Sequence, residues 1–226
     1  MAEAGRRRRI AAWVLGPVGL VLVVGAVVAA WADYTTGTVS SAAMEPGYRP
    51  GERLLFERIG ADEVRRGDVV LIDGQDRYGG PVLERVIGEG GDRVAERRGG
   101  PVTVNGKALP ERYVKDGDPS GGAPAFDVTV PEGRLFLLGD HRADARDSRW
   151  FLDEQSGTLP AAGVRARVTE DRGGPLLLGL AALLGLALAV TGLVLGIVAR
   201  VARHRERRPA VPPAWGSAPP VPSRTH

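Results

Sequence analysis

The sequence predicts a mostly β, antiparallel domain carried between two transmembrane helices. Two long apolar runs, residues 10–31 and 175–201, stand towards the two ends of the chain. Between them the apolar residues come in short clusters rich in Val, Ile and Leu, set off by Gly and Asp, and no stretch keeps a helical period. That pattern describes strands and turns, folded as an antiparallel sheet or a small barrel.

The helices are argued from length and flanks. Ile10 to Trp31 is long enough to cross roughly 30 Å of hydrocarbon at ~1.5 Å per residue. Arg6, Arg7, Arg8 and Arg9 precede it, and Trp13 and Trp31 suit the membrane interface near its ends. Ala30-Trp31-Ala32 has the look of a cleavage site, but the run exceeds the roughly 7 to 15 apolar residues of a secretory signal, so an uncleaved anchor is expected. Pro17 and the glycines inside the run are tolerated in membrane helices. The second run, Pro175 to Val201, leads into Arg200, Arg203, Arg205, Arg207 and Arg208. Basic clusters at the outer ends of both runs place both termini in the cytoplasm and residues 32–174 outside the plasma membrane. Residues 1–9 and 202–226 are then cytoplasmic tails, the second rich in proline and expected to be disordered.

Within the middle segment, Leu54–Ile59, Val69–Ile72 and Val82–Ile87 read as strands. Val102-Thr103-Val104 before Asn105-Gly106 signals a hairpin, because Asn-Gly supplies the two positive φ angles of a type I′ turn. Asp127–Val130, Leu135–Leu138 and Val164–Val168 bring the expected set to about eight strands. Asp116 to Ala125, with its paired glycines and two prolines, reads as an exposed loop. Gly88-Glu89-Gly90-Gly91 reads as a hairpin turn, since a phosphate cradle would need a helix after it.

Composition excludes several functions. The net charge of +3 belongs to the tails, since residues 33–174 hold 20 Lys and Arg against 25 Asp and Glu. A nucleic-acid binder would need a basic stripe on that segment, and no nucleic-acid partner is expected. With no cysteine and three histidines, neither thiol catalysis nor a zinc site is expected, and no cofactor is called for. Any nucleophile must be an oxygen.

The most informative stretch is Ser41-Ala42-Ala43-Met44-Glu45-Pro46-Gly47-Tyr48-Arg49-Pro50-Gly51-Glu52. Three others follow it: Arg66-Gly67-Asp68-Val69-Val70; Glu84-Arg85-Val86-Ile87-Gly88 with Gly91-Asp92; and Gly139-Asp140-His141-Arg142 through Asp147-Ser148-Arg149. In this order, over most of residues 36–170, they resemble the boxes of the type I signal peptidases, membrane-bound Ser-Lys proteases that remove signal peptides from exported proteins. The resemblance implies that family's β fold, and it assigns positions. The attacking serine precedes the methionine, and here that residue is Ala43. The lysine base precedes the Arg-Val-Ile run, and here it is Glu84. The hydroxyl that steadies the lysine falls at Ala145. The oxyanion hole would be the Ala43 N–H with the Ser41 hydroxyl. Asp140, Asp147 and Arg149 would hold the site together by an ion pair and backbone hydrogen bonds, or else simply form a polar turn.

A Ser-Lys protease needs its serine as nucleophile and a neutral lysine as base. Ser41 lies two residues upstream of the attacking position, roughly 6 to 7 Å along an extended chain. The chain's two lysines, Lys107 and Lys115, are expected to be exposed. His141 and Ser148 fall at positions that are not catalytic in the family. Glu84, buried where a neutral amine belongs, would have a raised pKa and could activate water, or it pairs with an arginine or faces solvent. The expected protein is therefore a catalytically silent homologue with a peptide groove shaped by Met44, Pro46 and Tyr48. It would bind signal peptides or exported preproteins beside membrane lipid, or work with an active paralogue. The alternatives are a signal peptidase with rearranged chemistry and a non-enzymatic sensor or assembly module of the envelope.

Overall fold

The computed structural model describes residues 2–206, so most of the proline-rich tail lies outside the described residues. The chain divides into two compact units, Met1–Gly25 with Leu180–His226, and Ala26–Gly179. The first unit takes most of two long helices, α1 (Ala2–Asp33) and α3 (Gly173–Glu206). Both are long and apolar enough to cross a membrane. They meet through small residues. A methyl on Gly185 would lie 2.7 Å from the Gly19 carbonyl oxygen, and one on Gly192 2.9 Å from the Gly16 Cα. Such close backbone approach is how helices associate where no hydrophobic difference drives them together. Helix α1 begins at Ala2, so Arg6–Arg9 continue the helix ahead of the apolar stretch from Ile10.

The second unit is β structure, mostly antiparallel. A seven-stranded sheet has the order β1 (Tyr34–Thr38), β2 (Arg53–Glu57), β11 (Val164–Val168), β3 (Val69–Asp73), β4 (Pro81–Glu89), β9 (Arg134–Leu138), β10 (Leu159–Pro160). A four-stranded sheet has the order β7 (Lys107–Ala108), β6 (Thr103–Val104), β5 (Arg93–Glu96), β8 (Phe126–Thr129). A four-residue helix, α2 (Gln75–Tyr78), precedes β4. Both sheets keep free edges, so neither is a closed barrel. β1, β5 and β10 are additions to the predicted set. Gly88 and Glu89 still belong to β4, and the turn is confined to Gly90-Gly91; it is not one of a hairpin, since β4 pairs with β3 and β9, whereas β5 pairs with β6 and β8.

Strands β4 and β9 are buried on both faces, which fixes the period-two alternation of their side chains. Val86, Leu135 and Leu137 face a core cluster with Val70 and Ile72. Ile87, Phe136 and Leu138 face another with Val94, Val102 and Phe126, where Phe126 and Phe136 stack with centroids 5.2 Å apart. The Glu84 side of β4 therefore belongs to the first cluster and the Arg85 side to the opposite face. The Asp116–Ala125 loop is exposed only in part. Ala123 is buried, and the Pro119 and Ser120 carbonyls accept hydrogen bonds from the guanidinium groups of Arg142 and Arg149.

Candidate functional site

The loop from Val39 to Glu52 is closed at its base by two backbone bonds, Val39 N–H to the Glu52 carbonyl and Gly51 N–H to the Val39 carbonyl, each 2.9 Å. Inside it, Ala42–Met44 form one 3-10 turn that packs against β4. The Ser41-to-Ala43 path is thus shorter than the extended estimate. Ser41 itself stays outside that turn, as its N-cap with extended backbone, φ −135° and ψ 165°. Ser41 is exposed and its hydroxyl makes no capping bond. Met44 is 1% exposed, so it supports the loop from beneath and cannot line an open groove. Pro46 is exposed, and Tyr48 is half-buried against a third cluster with Leu54 and Phe56.

Gly139 is the point on which the predicted site residues converge. The β4–β9 register ends at Arg85 facing Leu138, and Gly139 follows directly after β9. A methyl on Gly139 would lie 2.7 Å from the Ala43 carbonyl oxygen and would collide with the Ala145 methyl. That carbonyl is itself held by the His141 N–H at 2.9 Å. The Ala43 carbonyl and the Ala145 methyl therefore meet at one residue that has no side chain of its own, and Asp147, whose charge reaches Glu84, accepts from that residue's N–H.

Glu84 is 4% exposed, and its Oε2 is buried with no hydrogen-bond partner. Loss of water pushes its carboxyl well above the usual range, and the nearby Asp147 carboxylate adds to the effect against the opposing charges of Arg149 and Arg77. Those guanidinium groups are engaged elsewhere. Arg77 donates to the Gly157 and Glu154 carbonyls. Arg149 grips Asp147 by a fork of two bonds, 2.8 and 2.7 Å, with both side chains fully buried. Asp147 also accepts from the Gly139 and Arg149 N–H groups, which ties the last box to β9.

On the opposite face of β4, Arg85 forms a second fork with Asp140, 2.8 and 2.6 Å, and its guanidinium lies 4.0 Å from the Tyr113 ring centroid. Ser148 is spent structurally, its hydroxyl accepting from the Leu137 N–H, and His141 lies nearest the Asp144 carboxylate. Two pairs were not foreseen. Lys115 is half-buried rather than exposed, with its Nζ 2.6 Å from Glu45 Oε2. That contact raises the lysine pKa further, so it keeps its proton. Arg142 pairs with Glu111 in the interior and donates to the Gly139 carbonyl. Only the acidic and basic composition of these boxes hinted at such pairs, because their partners lie some 30 to 70 positions apart. Among the described residues no group of His, Cys, Asp and Glu is arranged to hold a metal.

A β domain with two apolar helices, built round this cluster of boxes, can be set beside known proteins. The profile of the family described as "Signal peptidase, peptidase S26" matches residues 9–170, and the chain belongs to that family. Signal peptidase I V of Bacillus subtilis is 31% identical over 153 residues, covering 62% of this chain and 88% of that protein. Signal peptidase I of Bacillus licheniformis is 33% identical over 120 residues, 49% of this chain and 63% of the relative. The chain thus spans just under two thirds of that relative's length. A solved signal peptidase I from Enterococcus faecalis aligns with 29% identity over 47% of this chain and 97% of its own, at a TM-score of 0.39.

Proposed function

We propose that the chain is a membrane-anchored member of the family that holds extended segments of exported preproteins, signal peptides among them, without cutting them. The observation that carries this reading is the residue set itself, Ala43, Glu84 and Ala145 where the family resemblance places the attacking serine, the lysine base and its supporting hydroxyl, with the Ala43 carbonyl and the Ala145 methyl meeting at Gly139. Loss of the attacking serine alone costs such an enzyme roughly 10⁶ in turnover. In this reading the Ser41 hydroxyl and Ala43 N–H are an oxyanion hole without an attacker, and Pro46 and Tyr48 flank the peptide. Residues 10–31 and 175–201 span the plasma membrane, both termini are cytoplasmic, and the β domain lies outside. Lipid is its solvent there, and an active paralogue is a fitting partner.

A second reading has Glu84 activate water directly, and its raised pKa favours that reading. Purified protein in detergent, incubated with a preprotein, separates the two. No shift to mature length is expected from the natural chain, while Ala43→Ser with Glu84→Lys is expected to recover measurable cleavage. Cleavage by the natural chain that disappears in Glu84→Ala would establish the second reading instead.

A further inference from the structure

An open cleft of about 900 Å³, lined by Asp73, Arg77, Arg134, Asp153, Glu154 and Gln155 among others, lies at the start of β9. Gly139 follows the other end of that strand, so the length of β9, roughly 13 Å, separates the two places. Two guanidinium groups form the inner wall of the cleft. Arg77 lies over the Phe151 ring, 5.0 Å from its centroid, and its side chain is only 9% exposed. It donates to the Gly157 and Glu154 carbonyls, while the nearest carboxylate oxygen, on Glu154, stands 3.5 Å from its Nε. Arg134 donates to the Thr158 hydroxyl and carbonyl, 2.6 Å each, and forms no ion pair among the described residues. Each guanidinium thus gives two of its five N–H groups to oxygens of the chain, which fixes its plane and leaves donors unspent. The Arg134 pKa is lowered by burial and then by the charge of Arg77, and no carboxylate offsets either effect. Like charges held together without a counter-ion carry a cost that a bound anion removes. The segment that supplies these acceptors is strained as well. Gln155, Ser156 and Gly157 have φ of 51°, 56° and 73°, a region that non-glycine residues seldom occupy and that recurs at ligand clamps. On the outer rim Asp153 and Glu154 are exposed, and Asp73 is held by Arg165 at 2.7 Å.

We propose that this cleft binds a zwitterion, its carboxylate on Arg77 and Arg134 and its cationic group at the Asp153 and Glu154 rim, the ligand being a free basic amino acid or the carboxy-terminal basic residue of a peptide. A carboxylate is planar and accepts at two oxygens, which matches N–H groups presented by fixed guanidinium planes. A phosphate dianion would meet Asp153 and Glu154 as like charges, whereas an ammonium or guanidinium group meets them as partners. The volume, about 900 Å³, falls within the ordinary range for small-ligand sites. The cleft shares no residue with the loop at 39–52, so the proposal goes beyond the peptide-holding reading and does not rest on it.

Calorimetric titration of the full chain in detergent tests it, with L-lysine, acetyl-Gly-Gly-Lys, the carboxamide of that tripeptide, acetyl-Gly-Gly-Glu and inorganic phosphate as probes. A free carboxylate is expected to make acetyl-Gly-Gly-Lys bind at least about tenfold tighter than its carboxamide. The acidic rim is expected to favour it about threefold over acetyl-Gly-Gly-Glu. L-Lysine binding as tightly as the tripeptide assigns the ligand to free amino acids, and binding of the tripeptide alone assigns it to peptide termini. In Arg134→Gln the preference for the free carboxyl is expected to vanish. Should that variant fail to fold, as its melting curve reports, Arg134→Lys keeps the charge without the planar fork and is expected to lose at least about threefold of the preference. Equal binding of the carboxamide, a preference that neither Arg134 variant moves, or no binding of any probe overturns the proposal. Phosphate binding more tightly than the tripeptide also overturns it, by making the cleft a general anion site.

Discussion

At the scale of single residues, Glu84 is a carboxyl whose charge state is coupled to folding. Its pKa in the folded chain lies well above the ordinary value of 4.5, so the native state holds a proton that the unfolded chain releases. Below the ordinary value both states are protonated and the residue contributes no pH dependence. As the pH rises past it, only the unfolded chain ionises, and stability falls until the folded carboxyl also titrates. Glu84→Gln removes this slope, because an amide does not titrate. Melting temperatures of the two proteins are therefore expected to run parallel below pH 4 and to diverge above about pH 5, with the glutamine form gaining by at least ~2 °C at pH 8. Parallel curves across the whole range would mean that Glu84 ionises normally in the fold. The sequence located this residue and its raised pKa. It left open whether an arginine would pair with it, because the guanidinium groups nearby are claimed by carbonyls and by Asp147, contacts that no local pattern encodes.

At the scale of elements, the site depends on how closely the 3-10 turn of Ala42–Met44 and the Ala145 segment approach the end of β9. Gly139 permits that approach, and it is the side chain it lacks that matters. Gly139→Ala would place a methyl 2.7 Å from the Ala43 carbonyl oxygen and against the Ala145 methyl, displacing backbone as well as a side chain. A loss of ~1–3 kcal/mol is expected in thermal or denaturant unfolding. Gly80→Ala serves as the control, since a methyl there meets nothing within 4 Å. Equal stability of the two variants would show that the loop gives way freely. Strands were legible in the sequence where side chains alternate over five or more residues, as in β3, β4 and β9. They were not where a two-residue strand has no hairpin turn beside it to announce it, as in β10, or where the sequence is Tyr-Thr-Thr-Gly-Thr, as in β1. The glycines of Gly88–Gly91 announced a turn, which falls at Gly90-Gly91, but could not say that β4 and β5 join different sheets. Pairing partners are set by non-local burial.

At the scale of the whole molecule, the sequence separates an acidic β segment from basic ends, and charge is what orients apolar helices in a bilayer. The arginines at positions 6 to 9 and 200 to 208 flank the outer ends of α1 and α3, and each exposed Lys or Arg near an anionic cytoplasmic leaflet contributes about 1 kcal/mol. The proposed topology, with both termini on one side and the β domain on the other, rests on these basic outer flanks. The chain has no cysteine, so single cysteines report location without background. Thr129→Cys, on an exposed position of β8, is expected to react with a membrane-impermeant maleimide on intact cells. Ala202→Cys, exposed near the end of α3, is expected to react only after permeabilisation. Reaction of both from outside would mean that only one of the helices spans. Reaction of neither until the cells are opened would place the β domain in the cytoplasm, where it could not meet a peptide emerging from the translocation path.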